Sequence, residues 1–204
     1  MYQSEERQRN IQKVIQTAQD LFLEYGVMEV SINRIAKESG LSAMSLYRYF
    51  GTREELILTV WKSSLNEFYT LFMNAYNKRI VNCKNGFEKF QKCMETYVET
   101  YNKHPEWYEY TREMFVGFAG RQASDKEFWD KFYSWIPNPA LNAMLEGQKD
   151  GSVKPDVNVY EAYQLIHNAY TGTNITQHFT KDVNPMDIIQ FTTELLESYI
   201  RNDQ

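Results

Sequence analysis

Six of the polar side chains in one short stretch, GLSAMSLYRYFGTREEL at residues 40–56, are of types that could hold a partner. They are Ser42, Ser45, Tyr47, Arg48, Tyr49 and Arg53, with Leu41, Leu46 and Phe50 threaded between them. Ser42 and Arg53 stand where helices are expected to begin, and there the free backbone amides and the helix dipole favour an anion. A serine hydroxyl such as that of Ser45 donates or accepts, while Ala43 and Met44 offer apolar contact. This is chemistry for holding a partner, and catalytic motifs are absent. The chain has no GxSxG, HExxH, Walker loop or GxGxxG, and its three histidines are dispersed, none beside a candidate nucleophile. Neither an enzyme nor a cofactor is expected. Cys83 and Cys93 have no CxxC spacing and no nearby histidine, so they read as reduced, structural thiols.

The elements that must position these residues are helical throughout. Ile11, Val14, Ile15, Ala18, Leu21, Phe22 and Tyr25 form one apolar stripe on a long first helix, which Gly26 stops. Ser31 caps a short second helix carrying Ile32, Ile35 and Ala36; Ser42 caps a third that ends near Phe50. Thr52 with Glu55 three residues on is a capping box, and a long fourth helix starts there. Further helices are expected from Asn85 to about 102, from His104 to about Gly120, and from Ser124 with a break at Pro137 and Pro139 and a stop at Gly151. The last two are expected over about 158–179 and 185–201. No strand pattern persists, so the fold expected is all-α with about nine helices.

Residues 31–50 read as helix, tight turn, helix. Ala36 is small where two helices cross, Gly40 permits the turn, and Leu46 supplies the core contact from the second helix. That is the helix-turn-helix arrangement, whose second helix enters the DNA major groove. The run SINRIAKESGLSAMSLYRYFGTREELI at 31–57, preceded by AQDLFLEYG at 18–26, resembles the signature of the tetracycline-repressor (TetR) family of bacterial transcription regulators. The resemblance is strong over about residues 8–60 and extends beyond that only as helical layout. It implies phosphate contacts from Ser42, Tyr47 and Arg53. Ala43, Met44 and Ser45, with Asn33 from the second helix, are the candidates for base edges, with Ala43 and Met44 suited to a thymine methyl. Ser31, Arg34, Arg48 and Tyr49 complete the candidate DNA-binding set. Met44 departs from the small residue usual there in the family, and no Arg, Gln or Asn precedes Arg48 on the recognition helix. Arg7 and Arg9 precede the first helix within reach of a neighbouring groove.

The net charge of −5 disfavours nucleic acid, but its distribution does not. Residues 1–50 carry six basic and six acidic side chains, so the acidity lies elsewhere. A helix-turn-helix DNA-binding domain is therefore expected over 1–52. A helical effector-binding and dimerisation domain is expected over 53–204, with 53–78 as connecting helix. The later part is rich in aromatic residues, and the resemblance implies that it binds a small effector. The candidate lining is Trp107, Tyr110, Phe115, Trp129, Tyr133, Tyr163 and His167. His167 and His178 are eleven residues apart, roughly 16 Å along a helix and too far to share a metal.

The last two helices carry Tyr163, Ile166, Tyr170, Ile188, Ile189, Leu195, Leu196 and Tyr199, which by resemblance pair with a second copy as a homodimer interface. The expected partners are thus a double-stranded operator, a small-molecule effector and a second copy, with ligand at 104–120 shifting the fourth helix. No apolar run reaches the ~20 residues of a membrane span and the polar start MYQSEERQRN holds no signal region, so a cytoplasmic regulator, by family a repressor, is expected. The competing reading is a helical interaction module that keeps the hairpin without reading DNA.

Overall fold

The structure, a computed structural model, describes residues 2–117, 134, 136–176 and 184–202. Among them the chain is all-α, with nine α-helices, one 3-10 turn at Ile80–Asn82 and a single isolated β-bridge, Val153 to Arg201. In chain order the helices are α1 (Tyr2–Tyr25), α2 (Ile32–Ser39), α3 (Ala43–Phe50), α4 (Arg53–Arg79), α5 (Gly86–Lys103), α6 (Pro105–Gly117), α7 (Pro139–Asp150), α8 (Val159–Thr176) and α9 (Pro185–Ile200). Of the helix expected from Ser124, the part before Pro137 lies almost wholly outside the described residues, and the continuation is α7, stopping at Gly151 as expected. The expected helix ends at 120 and 179, and His178, also lie outside them.

Local chemistry sets the helix starts. Ser31, Ser42 and Asn85 each accept the amide three residues on, at 3.2, 3.1 and 2.9 Å, and Asn184 accepts that of Met186. At α4 the capping box closes in both directions: Glu55 N donates to Thr52 Oγ1 at 3.1 Å and Thr52 N to Glu55 Oε2 at 3.2 Å.

The chain folds as two compact units. The first holds residues 1–68 and 106–129. Its described core joins Val14, Ala18 and Phe22 of α1, Ile32, Ile35 and Ala36 of α2, Leu46 and Phe50 of α3, Leu56, Ile57, Val60 and Trp61 of α4, and Tyr110 and Met114 of α6. Two edge-on aromatic pairs hold α4 to α6, Trp61 with Phe115 at 5.4 Å and Phe68 with Trp107 at 5.5 Å.

The second unit holds residues 69–105 and 130–204. There α5 and α7 cross so closely that a Cβ on Gly86 would stand 2.1 Å from the Gly147 amide nitrogen. The first amides of α5 are satisfied from the end of α7 and the turn after it: Gly86 N donates to Asp150 Oδ2 at 2.7 Å and Phe87 N to Ser152 Oγ at 3.1 Å. Helices α8 and α9 pack on each other. Ile189 and Leu196, expected on an outward face, are instead core residues at 2% and 4% exposure. They turn inward because α9 carries two apolar stripes and also packs on α5. The stripe left in solvent is Ile188, Phe191, Leu195 and Tyr199, with Leu165 and Ile175 exposed on α8.

Candidate nucleic-acid interface

Helix α2 packs on α1 and on α3. Ser39 ends it, its hydroxyl folded back onto the Ala36 carbonyl at 3.1 Å. Gly40 follows at φ 69°, the left-handed conformation that L side chains resist, and its amide donates to Lys37 O. The chain reverses within two residues and Ser42 starts α3. Leu46 (0% exposed) and Phe50 (9%) pin one face of α3 to the core. The opposite face then points outward by periodicity. Met44 is 79% exposed and Tyr47 52%, so neither packs inside the head. Ala43 and Ser45 are half-buried beside them, and Asn33 is exposed on α2.

The polar groups of this face are partly organised by one another. Ser42 Oγ and Ser45 Oγ share a hydrogen bond at 3.0 Å, and Arg48 Nη2 donates to Ser45 Oγ at 3.5 Å. The Tyr49 ring has the Arg48 guanidinium 5.3 Å and the Arg7 guanidinium 5.9 Å from its centre. Hydrogen bonds from Arg48 and then Asn10 hold the Tyr49 phenol below its ordinary value. Arg7 and Arg9, expected to precede the first helix, lie within α1, and the Arg7 guanidinium shares the Tyr49 ring of α3 with that of Arg48. Arg34, a candidate contact on α2, stacks its guanidinium 3.6 Å from the Tyr25 ring centre. A cleft of about 340 Å3 lies beside α3, lined by residues 28–33, Tyr47 and Arg53. Ser31 is in that wall, its hydroxyl spent on capping α2.

Arg53 differs most from its expected place. The resemblance implies a phosphate contact, yet its guanidinium faces backbone carbonyls. Nη2 donates to Val27 O at 2.6 Å and Val30 O at 3.1 Å, with Met28 O at 3.4 Å, and Nε reaches Val30 O at 3.4 Å. No sequence signal announces this, because the partners lie 23–26 residues away.

The candidate effector residues fall in both units. In the first, Trp107 and Phe115 are engaged in the edge-on pairs with α4. Tyr110 is 1% exposed, and its hydroxyl has no hydrogen-bond partner among the described residues. A buried orphan hydroxyl is costly, and burial pushes its phenol well up. In the second unit, Tyr163 OH donates to Asn138 Oδ1 at 2.5 Å, and its ring stacks on His167 with centres 6.4 Å apart. Burial holds the His167 imidazole below its ordinary value. Trp129 and Tyr133 lie outside the described residues. Among those described, no group of three or more His, Cys, Asp or Glu could hold a metal, and no helix is long and apolar enough to cross a membrane.

Residues 14–60 match the family of bacterial regulatory proteins, tetR family. An HTH-type transcriptional regulator of Staphylococcus aureus (strain bovine RF122 / ET3-1) is 43% identical over 63 residues, 31% of this chain and about a third (34%) of that relative's length. Another, from S. aureus strain MRSA252, is 27% identical over 147 residues, covering 67% of this chain and 80% of the relative. Among solved structures, the transcriptional regulator FadR from Bacillus subtilis, in complex with stearoyl-CoA, superposes with a TM-score of 0.66. It is 20% identical and covers 92% of this chain and 97% of its own.

Proposed function

We infer that the chain, whose residues 14–60 match the tetR family of bacterial regulatory proteins, is a transcriptional regulator of that family. From that premise we propose that it is a cytoplasmic repressor, binding an inverted-repeat operator as a homodimer under the control of a small, largely apolar effector. The head, residues 1–52, lays α3 in the major groove. Met44 and Ala43 meet thymine methyls, Ser45 and Asn33 meet base edges, and Ser42 and Tyr47 hold phosphates. Arg7 and Arg48, on the Tyr49 ring, add charge at the edge of this surface. The observation that carries the reading is the exposure of Met44 and Tyr47 on a helix whose Leu46 and Phe50 are buried. An eight-residue helix held so firmly from behind presents its outer side chains in fixed positions.

The remaining residues, 53–204, serve effector binding and dimerisation, with α4 as connector. The exposed stripe Ile188, Phe191, Leu195 and Tyr199 supports pairing with a second copy. Tyr110, buried with no hydrogen-bond partner for its hydroxyl among the described residues, supports a role as the polar contact of an otherwise apolar effector. The stearoyl-CoA of B. subtilis FadR makes a long-chain acyl thioester the first compound to test.

Selection from a randomised duplex pool, at two salt concentrations, tests the reading. Enrichment of an inverted repeat, with affinity falling steeply as salt rises, is the expected result. A pool left unenriched at low salt, with or without the acyl thioester, would favour the helical interaction module instead.

A further inference from the structure

The short segment 26–30 between α1 and α2 is held by two other helices. Arg53, first residue of α4, grips its carbonyls at Val27, Met28 and Val30. Helix α6 meets the same segment. At Gly117 a Cβ would stand 2.4 Å from Val27 Cγ1, and at Gly26 it would stand 3.5 Å from Glu113 Oε2. Val27 and Val30 are each 1% exposed, so the segment is packed and has little room to yield. Ser31, the cap of α2, follows directly. From there Ile35 and Ala36 share a core with Leu46 and Phe50 of α3.

We propose that Arg53 is a positioning residue rather than a phosphate ligand, and that the segment it clamps is a relay through which the placement of α6 sets the placement of α2 and α3. The Arg53 Nε and Nη2 hydrogens are committed to carbonyls that lose their partner if the guanidinium swings out to DNA. At Gly117 the absence of a side chain lets α6 seat on Val27. Any movement of α6 there presses on a segment that cannot absorb it, and the next rigid element in the chain is α2. This rests on the reading of α3 as the DNA-binding helix.

The test uses the full chain with Arg53→Gln, Gly117→Ala and the double change Val27→Ala/Gly117→Ala, each checked for folding by thermal melting. Hydrogen exchange of amides 27–35, in the absence of DNA, is the first readout. Exchange is expected to rise at least fivefold in Arg53→Gln and Gly117→Ala and to return toward wild type in the double variant. Affinity for the selected operator against salt is the second. Arg53→Gln is expected to bind at least tenfold more weakly with an unchanged slope of log affinity on log salt. Removing a phosphate ligand would instead flatten that slope by about 0.9 for each phosphate no longer neutralised. Gly117→Ala is expected to weaken binding with the slope unchanged, and Val27→Ala to restore it.

A flattened slope in Arg53→Gln, or wild-type exchange in Gly117→Ala, overturns the proposal. Should Gly117→Ala fail to fold while the double variant folds, the seating of α6 on Val27 is upheld and Arg53→Gln decides the rest. Altered exchange in a protein that selects no operator would leave the relay standing and sink the DNA reading. Operator binding with unaltered exchange would do the reverse.

Discussion

Met44 and Tyr47 stand in water on a helix that buries Leu46 completely. Leaving a side chain the size of methionine exposed forgoes about 1.5–3 kcal/mol of burial, which packing against a partner would recover. Period puts Met44 nearly opposite Leu46, whereas Tyr47, three residues before Phe50, flanks the buried face, and the structure shows that it turns out to solvent. His167 makes a second residue-scale case. Burial lowers its pKa from the ordinary 6.5, so the folded protein holds the neutral ring and protonation favours the unfolded chain. Its contribution is fully present above about pH 6.5 and is lost as pH falls from there toward the lowered folded value. Thermal melting between pH 5 and 8 checks this. Stability should drop on the acid side, and the His167→Gln variant should show a smaller drop.

At the scale of elements, the helix starts were legible because caps are local. Ser31, Ser42, Thr52 and Asn85 each meet a partner three residues away, and such spacing is visible in a string of letters. Thr52→Ala removes half of the reciprocal box at the start of α4 and should destabilise the chain by about 0.5–2 kcal/mol in denaturant unfolding, with little change if the box is idle. The grip of Arg53 on Val27 was not legible. It spans 26 residues, and nothing in the run TREEL tells a guanidinium whether to face a phosphate or a carbonyl. The inner face of α9 was hidden for another reason. Ile188, Ile189, Leu195 and Leu196 form adjacent apolar pairs, so both faces read alike until α5 and α8 select Ile189 and Leu196 for the core.

For the whole molecule, the family model matches only residues 14–60, and the near-full-length superposition is one of helical layout. Relatives are 41–43% identical over 63 residues and 27% over 147, whereas the superposition over nearly the full length runs at 20%. The all-α fold and the signature over residues 14–60 were therefore legible early, while an effector pocket depends on tertiary placement that no local pattern encodes. Dimerisation is likewise a property of surfaces left over after folding. Phe191→Asp places a charge in the exposed α9 stripe while leaving Ile189 and Leu196 in the core. It should convert the protein to a monomer by sedimentation and weaken binding to an inverted repeat by roughly 10²–10⁴-fold, because the second half-site is no longer tethered. A variant that stays dimeric would move the interface elsewhere.

That α3 reads the operator through its outer face is tested most directly by parallel selections from one randomised duplex pool, using the wild-type chain and Met44→Ala. The same inverted repeat should emerge from both, with preference relaxed at one symmetric pair of positions in the variant, where the methionine meets a base. Identical preferences at every position, or relaxation spread evenly over the site, would contradict a reading role for Met44 and for the face of α3 that presents it.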